Sequence, residues 1–269
     1  MKKRKLSFLF WVGVGYLVLL VLFAIIGPHI RYSYDEQVAG PFLKPSGQYW
    51  FGTDEVGRDV FSRMAHGARV SLMIALIVQT IAVVVGVLVG VLGVFAPKWV
   101  RVPLMRFTDG MFAFPDLLLA VLIIGIYGYG SYVVIIALSV TAWPSVARLV
   151  RSQVATLKDR EYVVAAEAMG AKPSYLVFKH ILPHLWGILL AVVMVDVAAT
   201  ILSESTLSFL GIGVQAPEPS WGGMINTFNT TKDSQPFFLI LPCLFLSATI
   251  FALNFVGDGL RTLADARAR

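Results

Sequence analysis

The sequence has a single cysteine, Cys243, and few charged residues for its length. One thiol in 269 residues excludes an internal disulfide framework, and it also excludes a cysteine-based zinc site or an iron–sulfur cluster within the chain. Only 14% of the residues are charged, against about 25% in an average soluble domain. A disordered chain and a nucleic-acid-binding arm both need more charge than this, so both classes are excluded and an ordinary soluble enzyme is disfavoured.

Several catalytic signatures are also missing. The sequence contains no phosphate-binding loop of the form G-x-x-x-x-G-K-[ST], so we do not expect the chain to hydrolyse ATP by that route. H-E-x-x-H and G-x-S-x-G are absent too. His180 and His184 are four residues apart and could share one helical face as metal ligands, but Pro183 lies between them and no third ligand is near. We therefore expect neither an enzyme active site, nor a metal, nor a cofactor in this chain.

Long apolar runs dominate what is present. Hydrophobic residues make up 57% of the chain, and its mean hydropathy is +0.76. A helix needs about 20 apolar residues to cross a hydrocarbon core of roughly 30 Å. The sequence predicts an all-α membrane protein with six transmembrane helices, at residues 6–26, 70–95, 104–127, 132–150, 188–210 and 237–256. The first run is too long for a secretory signal peptide and lacks a cleavage site, so we expect it to remain as a span.

The basic residues lie in the gaps between these runs. Of the 22 lysine and arginine residues, 16 fall on one side of the predicted membrane and 6 on the other. Because lysine and arginine concentrate in cytoplasmic loops, the count predicts that both termini are cytoplasmic. Residues 28–68 and 211–236 are then external, and residues 151–187 are cytoplasmic. In the first external segment, Asp59 and Arg63 are four residues apart on a possible amphipathic helix, which predicts an ion pair between them.

The cytoplasmic segment has the pattern of a short helix, a turn and a second helix. Residues 162–169 favour a helix, which Gly170 can end in a left-handed conformation. Pro173 suits the first turn of the second helix, which leads through Leu182 and Pro183 into the fifth span. Small alanine side chains on the first helix would let another surface come close. The alternative is a surface helix that lies on its own bundle.

The spacing of Ala165, Ala166 and Gly170, followed by Leu182 and Pro183, resembles the EAA loop of ABC importer permeases, although Val164 stands where that loop usually has glutamate. Three longer stretches narrow the resemblance to dipeptide, oligopeptide and nickel permeases. They are FGTDEVGRDVFSRMAHGARVSL at 51–72, LSESTLSFLGIGVQAPEPSWGGMI at 202–225 and NFVGDGLR at 254–261. They occur in the same order as in that family and are spread from residue 51 to residue 261, and the chain is identified as similar to the second permease of such systems.

This resemblance implies a type I importer permease fold with a cytoplasmic coupling helix. It implies an N-terminal span and external loop at 1–68, an ABC transmembrane type-1 domain at 69–258 with its coupling loop at 151–187, and a cytoplasmic tail at 259–269. The residues it places at the contact with an ATPase, or in the transmission of its motion, are Ala165, Ala166, Glu167, Gly170, Leu182 and Pro183.

The resemblance also implies partners and cargo. The partners are a second homologous permease, two cytoplasmic ATP-binding subunits that hold ATP and Mg²⁺, and an external substrate-binding protein, in the inner membrane of a bacterium or archaeon. The implied cargo is a di- or oligopeptide. Nickel, other metal chelates and glutathione-like compounds are the alternatives, because the external binding protein largely selects the cargo.

Charged residues inside predicted spans are candidates for function. Asp109 is three residues after Arg106, which predicts a local ion pair. Asp116 follows a proline, and a helix break there could expose it to a cavity. Asp196 and Glu204 are eight residues apart, about 80° around a helix, so both could face the translocation path and attract a peptide amine or a metal cation. Glu204 could instead hold helices together.

Two other functional classes remain as alternatives. A secondary transporter working alone could use Asp196 and Glu204 to bind a coupling ion, but it would not explain the cytoplasmic segment. An intramembrane enzyme would need a Ser/His or paired-Asp arrangement that the spans do not contain. Gly86 and Gly90 form a G-x-x-x-G pair in the second span, which predicts close helix packing rather than a cargo site.

Overall fold

The computed structural model describes residues 6–233 and 235–267, with side chains for residues 6–233 and 235–264. These residues are almost entirely helical. In chain order the helices are α1 (Phe8–Ile26), α2 (Val60–Phe95), α3 (Lys98–Met111), α4 (Asp116–Tyr127), α5 (Ser131–Lys158), α6 (Glu161–Ala168), α7 (Pro173–Tyr175), α8 (Leu182–Phe209), α9 (Trp221–Asn229) and α10 (Pro236–Arg267). A 3₁₀ turn, Gly27–His29, follows α1, and a π-helical segment, Leu176–Ile181, joins α7 to α8.

Five helical stretches are long and apolar enough to cross a bilayer. They are Phe8–His29, Val60–Phe95, Ser131–Lys158, Pro173–Phe209 and Pro236–Ala264. Each contains one of the predicted spans or most of it, and large apolar side chains such as Leu19, Leu88 and Phe251 stay exposed on their outer surfaces. Exposed apolar side chains are stable when lipid surrounds them. The prediction of an all-α, multi-pass membrane protein is therefore confirmed.

The third predicted span, residues 104–127, is not one straight helix. α3 and α4 meet at an angle of 91°, and the break lies between Met111 and Asp116. Pro115 is the N-cap residue of α4, where its ring and missing N–H end one helix and suit the start of the next. α4 has 12 residues and is therefore only about 18 Å long, too short to cross the hydrocarbon core alone.

α2 and α5 pack closely through glycine. A Cβ atom placed on Gly86 would lie 2.6 Å from Cβ of Val146, and one placed on Gly90 would lie 2.7 Å from Cβ of Val150. Real Cβ atoms do not come this near, so only glycine permits this separation of the two helices. The predicted packing role of the G-x-x-x-G pair is confirmed.

The segment between the first two spans, predicted to be external, ends earlier than predicted, because α2 already begins at Val60. Asp59 caps α2 and accepts hydrogen bonds from the backbone N–H and the hydroxyl of Ser62, at 2.9 and 2.8 Å. Arg63 instead lies 3.3 Å from the buried carboxylate of Asp54. The predicted ion pair between Asp59 and Arg63 is therefore wrong, since the capping role occupies the Asp59 side chain. The predicted domain boundary at residues 68–69, which stays a prediction, falls inside α2.

Part of the predicted charge pattern falls on the chain ends. The basic residues at positions 2–5 and 269 lie outside the described residues, as does the side chain of Arg267. The predicted tail at 259–269 begins inside α10, which continues to Arg267.

Candidate coupling loop and transmembrane cavity

The loop that was predicted to be cytoplasmic is built from α6 and the turn that follows it. Gly170 has a φ of +88°, and its N–H donates to the carbonyl of Glu167 at 2.9 Å. The next N–H, of Ala171, reaches back to the carbonyl of Ala166 at 3.1 Å. These two bonds satisfy carbonyl groups that the end of a helix would otherwise leave free. The predicted left-handed end at Gly170 is confirmed.

The inner side of α6 packs against the chain that leads to α8. Val163, Ala166 and Leu176 form a small buried core, in which Ala166 is 6% exposed. Ala166 thus lies inside the loop and not on the exposed surface where an ATPase contact was predicted, because Leu176 covers it. Ala165, Glu167 and Gly170 are exposed, and their predicted role in contact stays a prediction.

The outer side of α6 carries exposed apolar side chains. Val164 is half exposed, Tyr162 is partly exposed, and Met169 is 82% exposed. An apolar surface of this kind outside the membrane is typical of a protein contact. Sequence reasoning missed Met169. The available signal was a large apolar residue directly before the glycine that ends the helix.

Leu182 and Pro183 lie within continuous helix. Pro183 lacks an N–H, and its ring would meet the carbonyl four residues earlier in a regular α-helix. The π-helical segment Leu176–Ile181 ends just before this pair, and the Leu182 N–H bonds to the carbonyl of Val177, five residues back. This wider turn lets the helix run from Pro173 to Phe209 without a break.

The two loop histidines interact locally. Nδ1 of His184 lies 2.7 Å from the carbonyl oxygen of His180, and the His184 ring stacks on Tyr162 with the ring centres 5.4 Å apart. Within the described residues, no group of three or more His, Cys, Asp or Glu side chains is placed to hold a metal ion.

A polar cavity of about 250 Å³ lies between α2, α5, α8 and the break between α3 and α4. Asp116 and Asp196 both line it, so the structure brings together two carboxylates that are 80 residues apart in the chain. The other polar side chains of its wall are Gln79, Thr141, Ser145, Thr200 and Ser203. The helix break at Pro115 does expose Asp116 to a cavity, as expected. The role of both carboxylates in a translocation path stays a prediction.

Comparison with known proteins identifies the chain. Residues 82–269 match the family model described as "Binding-protein-dependent transport system inner membrane component". The chain belongs to this family. The permease is 38% identical over 260 residues to the oligopeptide transport system permease protein OppC of Bacillus subtilis (strain 168), with 96% of this chain and 85% of the relative covered. It is 39% identical over 278 residues to the dipeptide transport system permease protein DppC of the same organism, with 100% and 84% covered.

The permease also has a structural counterpart. It superposes on a chain of the MetNI methionine ABC transporter in an inward-facing conformation with a TM-score of 0.63 and 19% sequence identity, covering 77% of this chain and 97% of that one. At this identity the likeness concerns the fold alone. The expected type I importer permease fold is thereby confirmed.

Glu204 of the permease lies apart from the cavity wall, although it is only eight residues from Asp196. Its carboxylate is fully buried and accepts hydrogen bonds from the hydroxyls of Ser71 in α2 and Ser208 in α8, at 2.9 and 2.8 Å. Of the two roles that the sequence left open for Glu204, the geometry fits the one in which it holds helices together.

The remaining intramembrane charge, Asp109, pairs differently from the prediction. Its Oδ1 lies 3.6 Å from a guanidinium nitrogen of Arg148, not from Arg106 three residues before it. Both partners are more than half exposed, so this pair contributes little to stability.

Sequence reasoning also missed Gln79 of the permease, for which the signal was one amide side chain within a long apolar run.

Proposed function

We propose that this chain is one of the two permeases of an ATP-driven importer for di- or oligopeptides. A peptide cargo is supported by the sequence identity of 38–39%, over nearly the whole chain, to permeases named for oligopeptide and dipeptide transport. Import of nickel, other metal chelates or glutathione remains the alternative within the same family. A transporter working alone is disfavoured, because it would leave the exposed apolar side of α6 without a role.

The proposed assembly contains a second homologous permease, two cytoplasmic ATP-binding subunits and an external substrate-binding protein. ATP and Mg²⁺ bind to the ATP-binding subunits, and this chain holds neither. α6 is suited to the contact with an ATPase, since its inner side is anchored by Val163 and Leu176 while Met169 and Val164 project outward. Closure of an ATP-bound dimer would then move α6 together with α8 and favour one of two arrangements of the bundle.

Reconstitution tests this proposal directly. We expect the purified chain to show no ATP hydrolysis above background, because it lacks a phosphate-binding loop. Proteoliposomes that hold both permeases and both ATP-binding subunits, supplied with the binding protein, should accumulate labelled trialanine only in the presence of ATP. Hydrolysis by the chain alone, or a cargo that includes nickel chelates but no peptide, would contradict the proposal.

Orientation in the membrane is a separate prediction, in which both termini are cytoplasmic. Single cysteines at Gly47 and Ser174 report on the two sides, and both residues are exposed. The natural thiol is removed by Cys243→Ser. In intact cells an impermeant thiol reagent should label Gly47→Cys at least about tenfold faster than Ser174→Cys, because the bilayer core excludes charged reagents. Permeabilised cells are the control, in which both should react. The reverse order in intact cells would overturn the topology.

A further inference from the structure

Gln79 is a buried amide in the wall of the cavity, and it lies beside Asp196. The side chain is 2% exposed and its nearest polar neighbour is the carboxylate of Asp196, but no hydrogen bond of full geometry joins its nitrogen or oxygen to any described residue. Oδ2 of Asp196, in the same wall, is also buried without a partner. A polar group buried without a hydrogen bond is costly, above all inside a bilayer. These atoms therefore indicate that the cavity is built to receive a polar ligand.

The cavity lies near the middle of the three long helices that line it, which is where the centre of a bilayer is expected. Gln79, Ser145 and Asp196 each lie within two residues of the midpoint of their helices, α2, α5 and α8. All three helices are long enough to span the membrane. A cargo crossing between the two aqueous phases must pass this depth, where no water shell satisfies its charges.

Apart from the amide nitrogen of Gln79 and the hydroxyl of Ser203, the polar groups of the cavity wall act as acceptors. The hydroxyls of Thr141, Ser145 and Thr200 donate to carbonyl oxygens of their own helices, at 3.1, 2.9 and 2.8 Å. A hydroxyl that has donated its one proton presents only lone pairs. Asp116 and Asp196 add two carboxylates, and no lysine or arginine belongs to the described lining. The chemistry selects a cation that donates several hydrogen bonds.

An ammonium group fits this description better than a metal ion. It carries three N–H donors, and Asp196, Asp116 and the Gln79 oxygen can accept them. Transition metals such as nickel and zinc are usually bound by histidine or thiolate ligands, and the described wall of the cavity contains neither. The volume of about 250 Å³ suits the end of a peptide and not a whole oligopeptide.

We propose that this cavity is a mid-membrane subsite for the protonated α-amino group of the cargo, with Asp196 and Gln79 as its principal contacts. The inference rests on the peptide cargo of the proposed function and names the part of the peptide that this chain recognises. It assigns to the permease some selectivity beyond that of the external binding protein.

The first experiment measures charge preference without any cargo. A reporter cysteine at Ser145, which is exposed to the cavity, is placed in the Cys243→Ser background within the complete complex, whose other subunits lack cysteine. Its reaction rate is measured with a cationic reagent, ethylammonium methanethiosulfonate, and with an anionic one, ethylsulfonate methanethiosulfonate. Each rate is divided by the rate of the same reagent at Gly47→Cys, and the charge ratio is the cationic value divided by the anionic value. We expect the cation to be favoured about tenfold, since nearby carboxylates act strongly in a low dielectric. Asp196→Asn should reduce this ratio at least threefold, and Gln79→Glu should raise it.

The second experiment measures uptake of trialanine at saturating binding protein. Asp196→Asn should lower uptake about tenfold at equal membrane abundance, and Asp196→Glu should restore most of it, because one carboxylate contact is worth about that factor. Asp109→Asn is the matched control, because it removes a carboxylate that lies outside this cavity, and it should stay within about twofold of the unchanged chain.

The two measurements together decide the inference. It stands only if the charge ratio and trialanine uptake both fall in Asp196→Asn. If uptake falls in Asp196→Asn but the charge ratio is unchanged, Asp196 has a structural role and the inference is overturned. If the charge ratio falls but uptake stays normal, the cavity lies off the cargo path, which also overturns the inference. If Asp196→Asn is not inserted, an unchanged ratio in Gln79→Glu overturns the inference. Failure of the unchanged complex to import any peptide contradicts the proposed function instead, while the labelling still reports on the cavity.

Discussion

Gly170→Arg is expected to abolish uptake while the chain remains in the membrane at normal abundance. The φ of +88° is a conformation that costs an L-residue about 1–2 kcal/mol. A Cβ atom at this position would meet no other atom of the chain within 4 Å, so the loop itself has room for a side chain. The defect should therefore come from a long charged side chain beside the exposed Met169, on the surface proposed to meet an ATPase. Uptake, membrane abundance and copurification of the ATP-binding subunits are the measurements.

Gly170→Asn is the matched control for this variant. Asparagine tolerates the left-handed conformation better than other residues with side chains, and it is short and uncharged. It should keep a substantial part of the uptake. Ala166→Asp is a poor control, since it would put a charge into the core formed with Val163 and Leu176 and disrupt α6 from within. Normal uptake by Gly170→Arg at normal abundance would show that α6 is not a tight coupling surface.

Glu204→Ala is expected to lower the stability of the permease by about 3 kcal/mol. The change leaves the hydroxyls of Ser71 and Ser208 without their acceptor in a fully buried site. Ser208 also accepts a hydrogen bond from the backbone N–H of Val214 at 3.1 Å, so the start of the loop between α8 and α9 should become more mobile as well. The measurement is the thermal denaturation midpoint of the detergent-solubilised complex, together with membrane abundance.

Two variants calibrate this result. Glu204→Gln keeps one acceptor oxygen and should lose roughly half as much stability, whereas Asp109→Ala removes a carboxylate from an exposed pair and should change stability by less than about 0.5 kcal/mol. A denaturation midpoint for Glu204→Ala equal to that of the unchanged chain would mean that this hydrogen-bond network does not hold α2 to α8.

Features that depend on local sequence were predicted well. The spans follow from apolar runs, and the turn at Gly170 follows from a glycine between two helix-forming stretches. The break before Asp116 was only partly predicted, because hydropathy alone does not distinguish one straight span from two helices at 91°. The i,i+4 rule failed for Asp59, where helix capping took precedence.

Features that depend on residues far apart in the chain could not be predicted. Ala166 is buried because Leu176, ten residues later, covers it. Asp196 and Glu204 lie in different surroundings, because Asp196 lines a cavity together with Gln79 and Asp116, whereas Glu204 accepts a hydrogen bond from Ser71 in a packed interior. Spacing along one helix does not reveal what the neighbouring helices bring to each face.

One unbroken helix, from Pro173 to Phe209, connects the turn after α6 to the cavity wall. The helix has 37 residues, and the distance from Pro173 to Glu204 along it is about 46 Å. If the bonds of Glu204 fix the far end as a pivot, a tilt of about 10° displaces the loop end by roughly 8 Å and Asp196 by only about 2 Å. A large displacement at the loop end would thus become a small displacement at the cavity. Bending within the π-helical segment Leu176–Ile181 would weaken this mechanical coupling.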